Sequence, residues 1–113
     1  MTVYELASRL QLKVVGGEKS MDKEVSGGYA GDLLSNVMGQ AASGSIWVTM
    51  QGHQNIIAVA ALIGLSAIIV AGGIEPDNEA IVKAEKEGMA LLTTALPVFE
   101  IVGRLHKLGI EGI

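Results

Sequence analysis

The chain has 113 residues, of which half are apolar and 18% are charged, and its net charge is −4 from 12 acidic and 8 basic side chains. This length predicts one domain covering residues 1–113, and an acidic balance without any basic run argues against a nucleic-acid-binding protein. The absence of cysteine excludes disulfides, thiolate metal sites and cysteine nucleophiles, and we expect a cytoplasmic protein with no metal and no cofactor.

The first third of the chain predicts one helix and one or two short strands. Thr2 and Glu5 match a capping box, and the helix after them places on one face the apolar residues Val3, Leu6, Ala7 and Leu10. Residues 12–15 predict a strand that ends at a pair of glycines, and residues 23–26 predict a second, shorter strand.

The remaining two thirds alternate between helices and strands. Asp32 is predicted to be the N-cap of a helix, whose apolar residues recur at helical spacing: Leu33, Leu34, Val37, Met38 and Ala41. Three strand–helix units follow, with strands predicted at 46–50, 67–71 and 89–93, and helices at 54–63, 77–87 and 97–108. Units of this length are typical of right-handed parallel crossovers. The pattern predicts an α/β fold with three layers and a mainly parallel sheet.

One segment also satisfies the length criterion for a membrane span. Ile56 to Ile74 is a run of 19 residues without a charged side chain. The run is interrupted by residues 64–66, and it lacks the basic and aromatic flanks of a membrane helix. We interpret it as a helix followed by a buried strand, and we expect no membrane association. The opening residues also lack the pattern of a signal peptide.

Two loops carry the candidate binding residues. The segment 25–35 reads V-S-G-G-Y-A-G-D-L-L-S, and its glycines predict a shaped loop at 27–31. A second loop, 49–55, would follow the carboxyl end of a parallel strand, where open α/β sheets bind ligands. The candidate ligand- or partner-binding residues of the two loops are Ser26, Gly27, Gly28, Asp32, Thr49, Gln51, His53, Gln54 and Asn55.

These residues also have a structural interpretation. Gln54 or Asn55 could cap the helix that follows, and His53 could bond a backbone carbonyl. A third loop ends in Glu75 and Asp77, whose charges stabilise a helix start and argue against phosphate binding there. No tight pair of acids and no G-x-S-x-G motif is present, so we predict no catalytic residues.

The order of several segments resembles the DRTGG domain family and, more distantly, the N-terminal domain of HPr kinase/phosphorylase. The segments are E-V-S-G-G-Y-A-G-D-L-L-S (24–35), G-S-I-W-V-T (44–49), H-Q-N-I-I-A-V-A (53–60), A-I-I-V-A-G-G (67–73), A-E-K-E-G-M-A-L-L-T-T (84–94) and F-E-I-V-G-R-L (99–105). Glu24 and Ser26 stand where the family signature has an acidic residue and a hydroxyl residue, whereas the arginine of the signature is absent from this chain. Kinase activity cannot be transferred, because no G-x-x-x-x-G-K-[ST] loop is present.

The resemblance implies a small α/β domain that associates with itself and acts as a regulatory element beside metabolic enzymes or CBS modules. The leading hypothesis is therefore a non-enzymatic regulatory or interaction domain, a homodimer that modulates a metabolic partner protein. One alternative is a sensor that binds a small metabolite or a nucleotide at the 49–55 and 27–31 loops. A second alternative is a hydrolase that uses His53 and Asp32.

Overall fold

The computed structural model describes residues 1–112, which form an α/β fold with one five-stranded sheet. The elements in chain order are α1 (Val3–Leu10), β1 (Lys13–Gly16), β2 (Gly27–Ala30), α2 (Leu34–Gln40), β3 (Ser45–Thr49), α3 (Asn55–Ile63), β4 (Ala67–Val70), α4 (Asn78–Glu87), β5 (Ala90–Thr93) and α5 (Val98–Lys107). A short 3₁₀ helix, Glu18–Ser20, lies between β1 and β2.

The sheet has the strand order β1-β5-β4-β3-β2. Strands β2 to β5 are parallel to their neighbours, so each helix between them is a crossover connection. Strand β1 joins the sheet antiparallel to β5 and places Lys13 opposite Thr93. The prediction of a mainly parallel sheet is confirmed, and both edge strands come from the N-terminal part of the chain.

Apolar side chains cover both faces of the sheet and define three layers. On one face the sheet packs against α1 and α5 through the buried helix residues Val3, Leu6, Ala7, Ile101 and Leu105. On the other face it packs against α2, α3 and α4 through Val37, Ile56, Ile57, Val59, Ala60, Ala80 and Ala84. Residues of β3 alternate between the faces, because successive strand residues point to opposite sides. The predicted three-layer architecture is confirmed.

The uncharged run from 56 to 74 is divided as the sequence predicts. Helix α3 ends at Ile63, Gly64 follows in the left-handed region with φ of 82°, and β4 begins at Ala67. Glycine is suited to this position because it has no Cβ that would clash. Within residues 1–112, no helix is both long enough and apolar enough to span a bilayer.

The predicted strand at 23–26 is wrong, because the strand lies four residues later at Gly27–Ala30. Only a single isolated bridge, between Thr2 and Glu24, falls in the predicted range. Gly27 and Gly28 are required because the C-terminal segment crosses close to this strand. A Cβ on Gly27 would lie 3.0 Å from the carbonyl oxygen of Glu111, and one on Gly28 would lie 3.2 Å from Ile110 Cγ2. The predicted loop at 27–31 is therefore mostly an edge strand.

The capping box at the start of α1 is confirmed. The Thr2 hydroxyl accepts from the Glu5 N–H at 3.2 Å, and the Glu5 carboxylate accepts from the Thr2 N–H at 3.0 Å. The bond from the Thr2 N–H is the main cause that holds the pKa of Glu5 below its ordinary value, with a further contribution from the Thr2 hydroxyl.

The same helix ends at an unusual residue. Gln11 has φ of 54°, and it is the only non-glycine residue with positive φ in the part of the chain that the structure describes. Its N–H closes the helix by donating to carbonyls of the last turn, an arrangement in which glycine is the usual residue.

We expect Gln11→Gly to stabilise the domain by about 0.5–1 kcal/mol, since glycine adopts this conformation without a steric penalty. Thermal unfolding followed by circular dichroism would show a melting temperature raised by a few degrees. Ser8→Gly is a suitable control, because this exposed site inside α1 favours helix formers and glycine should lower the stability there. A lower stability for Gln11→Gly would contradict the expectation.

Candidate functional site

Three of the predicted site residues meet at the carboxyl ends of β2 and β3. Asp32 Oδ1 accepts from the Thr49 hydroxyl and from the Met50 N–H, both at 2.8 Å. Gln51 Nε2 in turn donates to the backbone carbonyl of Asp32 at 3.1 Å. Thr49 is fully buried, whereas Asp32 and Gln51 are exposed. The cluster fixes the two loops against each other, and its polar atoms largely satisfy one another.

The sequence predicted Asp32 as the N-cap of α2, and this prediction is wrong. Leu33 occupies that position, and no side chain caps the helix. The carboxylate instead bonds to the end of the neighbouring strand, a partner that is distant in sequence. The indole N–H of buried Trp47 donates to the carbonyl of Gly31 at 2.9 Å and holds the adjacent backbone.

The start of α3 holds the other residues of the predicted 49–55 loop. His53 Nδ1 accepts from the Asn55 N–H at 3.2 Å, so the imidazole caps the helix and does not bond a carbonyl. Gln54 is the N-cap residue by position but makes no side-chain capping bond. His53 and Asn55 are exposed, and Gln54 is half-buried. The exposed side chains of His53 and Asn55, together with Gln51, are therefore the polar groups that this loop presents to solvent.

Ser26, Gly27 and Gly28 lie at the opposite end of β2. Ser26 precedes the strand, where its N–H donates to the carbonyl of Gly44 at 2.9 Å. Asp32 follows the strand, and a strand advances about 3.3 Å per residue. The structure therefore does not bring the two predicted groups of residues into one site.

A cavity of about 500 Å³ lies beside the edge strand β2. Its walls include Tyr29 and Ala30 from β2, Asn36 and Gln40 from α2, and His106 from α5. Gly28, one of the predicted site residues, also lines it. The two amides and His106 could not be identified as part of a site from the sequence, because isolated polar residues on helices are ordinary surface residues.

A larger cavity of about 630 Å³ lies beyond the carboxyl ends of β4 and β5. Lining residues with polar side chains are Gln11, Lys13, Glu75, Asn78, Thr93, Thr94 and Arg104. The sequence placed loops here but identified only the helix-stabilising charges of Glu75 and Asp77. Asp77 is indeed the N-cap residue of α4, although its side chain makes no capping bond. Lys13 and Arg104 were missed because they come from distant segments.

The arrangement of the side chains gives little support to a metal-binding site. Within residues 1–112, no group of three or more histidine, aspartate or glutamate side chains could hold a metal ion.

Comparisons with known proteins agree on one domain type. The family model described as the DRTGG domain matches residues 5–108. A crystal structure of the CBS and DRTGG domains of the regulatory region of Clostridium perfringens pyrophosphatase, complexed with the activator diadenosine tetraphosphate, is similar, with a TM-score of 0.66 and 19% identity. The match covers 87% of this chain and 43% of that chain, so the likeness spans less than half of the chain in that structure. No curated protein matches.

Proposed function

The chain belongs to the DRTGG domain family, and from this premise we propose that it is a non-catalytic regulatory domain that self-associates and modulates a metabolic partner protein. A regulatory role is supported by the structural neighbour, which is described as a regulatory region. The proposed location is the cytoplasm, which is consistent with a chain that lacks cysteine.

The observation that best supports self-association is an exposed apolar surface on α5. We call this surface the α5 face and define it by Phe99, Val102 and Gly103. Phe99 is 93% exposed and Val102 is 37% exposed. A Cβ on Gly103 would meet nothing within 4 Å, so the helix backbone is open to close approach there. Large aromatic side chains are enriched at protein interfaces, where burying one contributes strongly to binding.

The charges beside the α5 face favour a second copy of this chain as the partner. Glu100 and Arg104 are one turn apart on α5, and their contact of 3.9 Å is long and half exposed. If two α5 helices pack antiparallel about a two-fold axis near Val102, each carboxylate lies towards the guanidinium of the other helix. Such an arrangement is self-complementary, as a two-fold interface requires.

The test is the oligomeric state of two matched variants. We expect the wild-type chain to sediment as a dimer at micromolar concentration, and Phe99→Asp to weaken association by about tenfold or more, because it places a charge in an apolar contact. Leu62→Asp is the control, since Leu62 is 73% exposed but lies on α3, across the sheet.

A wild-type chain that sediments as an 11.7 kDa monomer would refute self-association. Dissociation by Leu62→Asp, with Phe99→Asp still dimeric, would place the interface on the other face of the sheet.

The hydrolase alternative receives little support. Within residues 1–112, no hydrogen bond joins Asp32 to His53, because Asp32 Oδ1 accepts from Thr49 and Met50, and His53 Nδ1 accepts from the Asn55 N–H. A catalytic base needs an orienting partner on its second nitrogen.

A metabolite or nucleotide sensor is a second candidate, and the cavity beside β2 is the observation that favours it. Gly28, Tyr29 and Ala30 border this cavity, and its volume of about 500 Å³ lies within the usual range for small-molecule sites. Asp32 Oδ1, the Thr49 hydroxyl and Gln51 Nε2 are engaged in hydrogen bonds within their own cluster, so the exposed His53 and Asn55 are the groups that the 49–55 loop would contribute most readily.

A further inference from the structure

The connections that leave β4 and β5 turn to opposite faces of the sheet. The chain after β4 enters α4, whose Ala80 and Ala84 pack on one face. The chain after β5 enters α5, whose Ile101 and Leu105 pack on the other face. When the connections after two adjacent parallel strands diverge in this way, they leave a crevice outside the carboxyl ends of the strands. Such a place is called a topological switch point, and open α/β sheets characteristically bind ligands there. The cavity of about 630 Å³ occupies this crevice.

The two rims of the crevice are tied together by backbone hydrogen bonds. The Gly72 N–H donates to the carbonyl of Leu96 at 2.8 Å, and the Gly73 N–H donates to the carbonyl of Thr94 at 3.0 Å. The Thr94 hydroxyl also accepts from the Leu96 N–H at 3.2 Å and tightens its own loop. The crevice is thus largely formed before any ligand arrives, which reduces the entropic cost of binding.

Two cationic side chains line the crevice from outside these loops. Lys13 comes from β1, opposite Thr93, and forms no ion pair within residues 1–112. Arg104 comes from α5, and its contact with Glu100 at 3.9 Å is exposed and therefore weak. Among residues 1–112, Glu75 is the only acidic residue on the lining. The lining therefore carries one excess positive charge, in a chain whose net charge is −4. Lys13 and Arg104 together outweigh the Glu75 carboxylate, which by itself argued against phosphate at this loop.

We infer that this crevice binds a small organic anion with one carboxylate or monophosphate group, held by Lys13 and Arg104. The Thr94 hydroxyl and the Asn78 amide supply hydrogen bonds on the lining, and Ile81 and Leu96 supply apolar contact. Glu75 disfavours a polyanion, since a second negative group would meet its carboxylate. The inference deepens the proposed regulatory function by giving the class of ligand that would regulate the domain.

The test is a titration of the ¹⁵N-labelled chain followed by amide chemical shifts. The probes are glycerol 3-phosphate and glycerate, which share a three-carbon skeleton and differ in the anionic group, and glycerol is the neutral control. We expect saturable shifts at Gly72, Gly73 and Leu96 with at least one anion below about 10 mM, and none with glycerol. The anion that binds with the higher affinity shows whether the site prefers a phosphate or a carboxylate group.

A pair of double variants locates the site. Lys13→Ala with Arg104→Ala should weaken binding by about tenfold or more, because two charge-assisted contacts are lost. Lys83→Ala with Lys86→Ala removes the same charge from α4, outside this cavity, and should leave the affinity within about twofold. All four side chains are at least partly exposed, so both double variants are expected to fold.

Three results would overturn the inference: no saturable shift with either anion, equal shifts with glycerol, or unchanged binding after the loss of Lys13 and Arg104. Shifts confined to Gly28–Ala30 would also overturn it and would support the cavity beside β2. Because Arg104 also lies beside the α5 face, sedimentation of the Lys13→Ala/Arg104→Ala variant shows separately whether its dimer is retained.

Discussion

Gly17→Ala is expected to destabilise the domain by about 4 kcal/mol, one of the two largest losses expected among the substitutions proposed for this chain. Gly17 has φ of 67°, and a Cβ there would lie 2.0 Å from the carbonyl oxygen of Met89. Because that oxygen belongs to the backbone just before β5, the overlap cannot be relieved by a side-chain rotation. The Gly17 N–H also donates to the Glu85 carboxylate at 2.9 Å, so a shift of Gly17 strains a second contact.

Chemical denaturation of Gly17→Ala and Gly73→Ala would separate the two causes. Gly73 has φ of 74°, but a Cβ there would meet nothing within 4 Å. Gly73→Ala should therefore cost only about 1 kcal/mol, the penalty of the left-handed conformation. Equal losses in the two variants would show that the contact with Met89 is unimportant.

Trp47→Ala is expected to cost about 3–5 kcal/mol, because it removes a fully buried indole from the centre of the sheet. Trp47→Phe should cost less, about 1–2 kcal/mol, since the ring remains but the Gly31 carbonyl loses its donor. Unfolding in urea is best followed by circular dichroism, because Trp47 is the only tryptophan and both variants lose its fluorescence.

The Phe variant also tests whether the indole N–H positions the predicted site. Gly31 immediately precedes Asp32, whose carboxylate holds the start of the 49–55 loop. Amide shifts at Met50 and Gln51 should change in Trp47→Phe and not in Phe99→Asp, which lies on the opposite side of the sheet. Unchanged shifts in that loop would mean that Trp47 acts by packing alone.

Periodic apolar residues made most of the fold predictable from the sequence. Strands β3, β4 and β5 are buried on both faces and form continuous apolar runs, so their approximate positions and order were predicted. Strand β2 was missed because Gly27 and Gly28 have poor strand propensity. Their place in the sheet depends on pairing with β3 and on the crossing of Ile110 and Glu111, contacts that are remote in sequence.

The candidate sites were less predictable than the fold for the same reason. Asp32 has the side chain of a good N-cap, and only the folded sheet brings it to Thr49. The crevice beyond β4 and β5 is lined by the end of α1, β1, the end of β5, two loops, α4 and α5. Lys13 and Arg104 carry no local motif, so their shared location follows from the antiparallel pairing of β1 and from the packing of α5.

The crossing of the C-terminal segment over β2 also has a consequence for how copies of the chain meet. An open strand edge is a template on which further chains can add by backbone pairing, which leads to aggregation. The bond of 3.0 Å from the Gly28 N–H to the Glu111 carbonyl occupies one such position, and the nearby segment hinders approach along that edge. Assembly through the β2 edge is thereby disfavoured, which favours side-chain contacts between helices as the route to a complex of defined size on this side of the sheet.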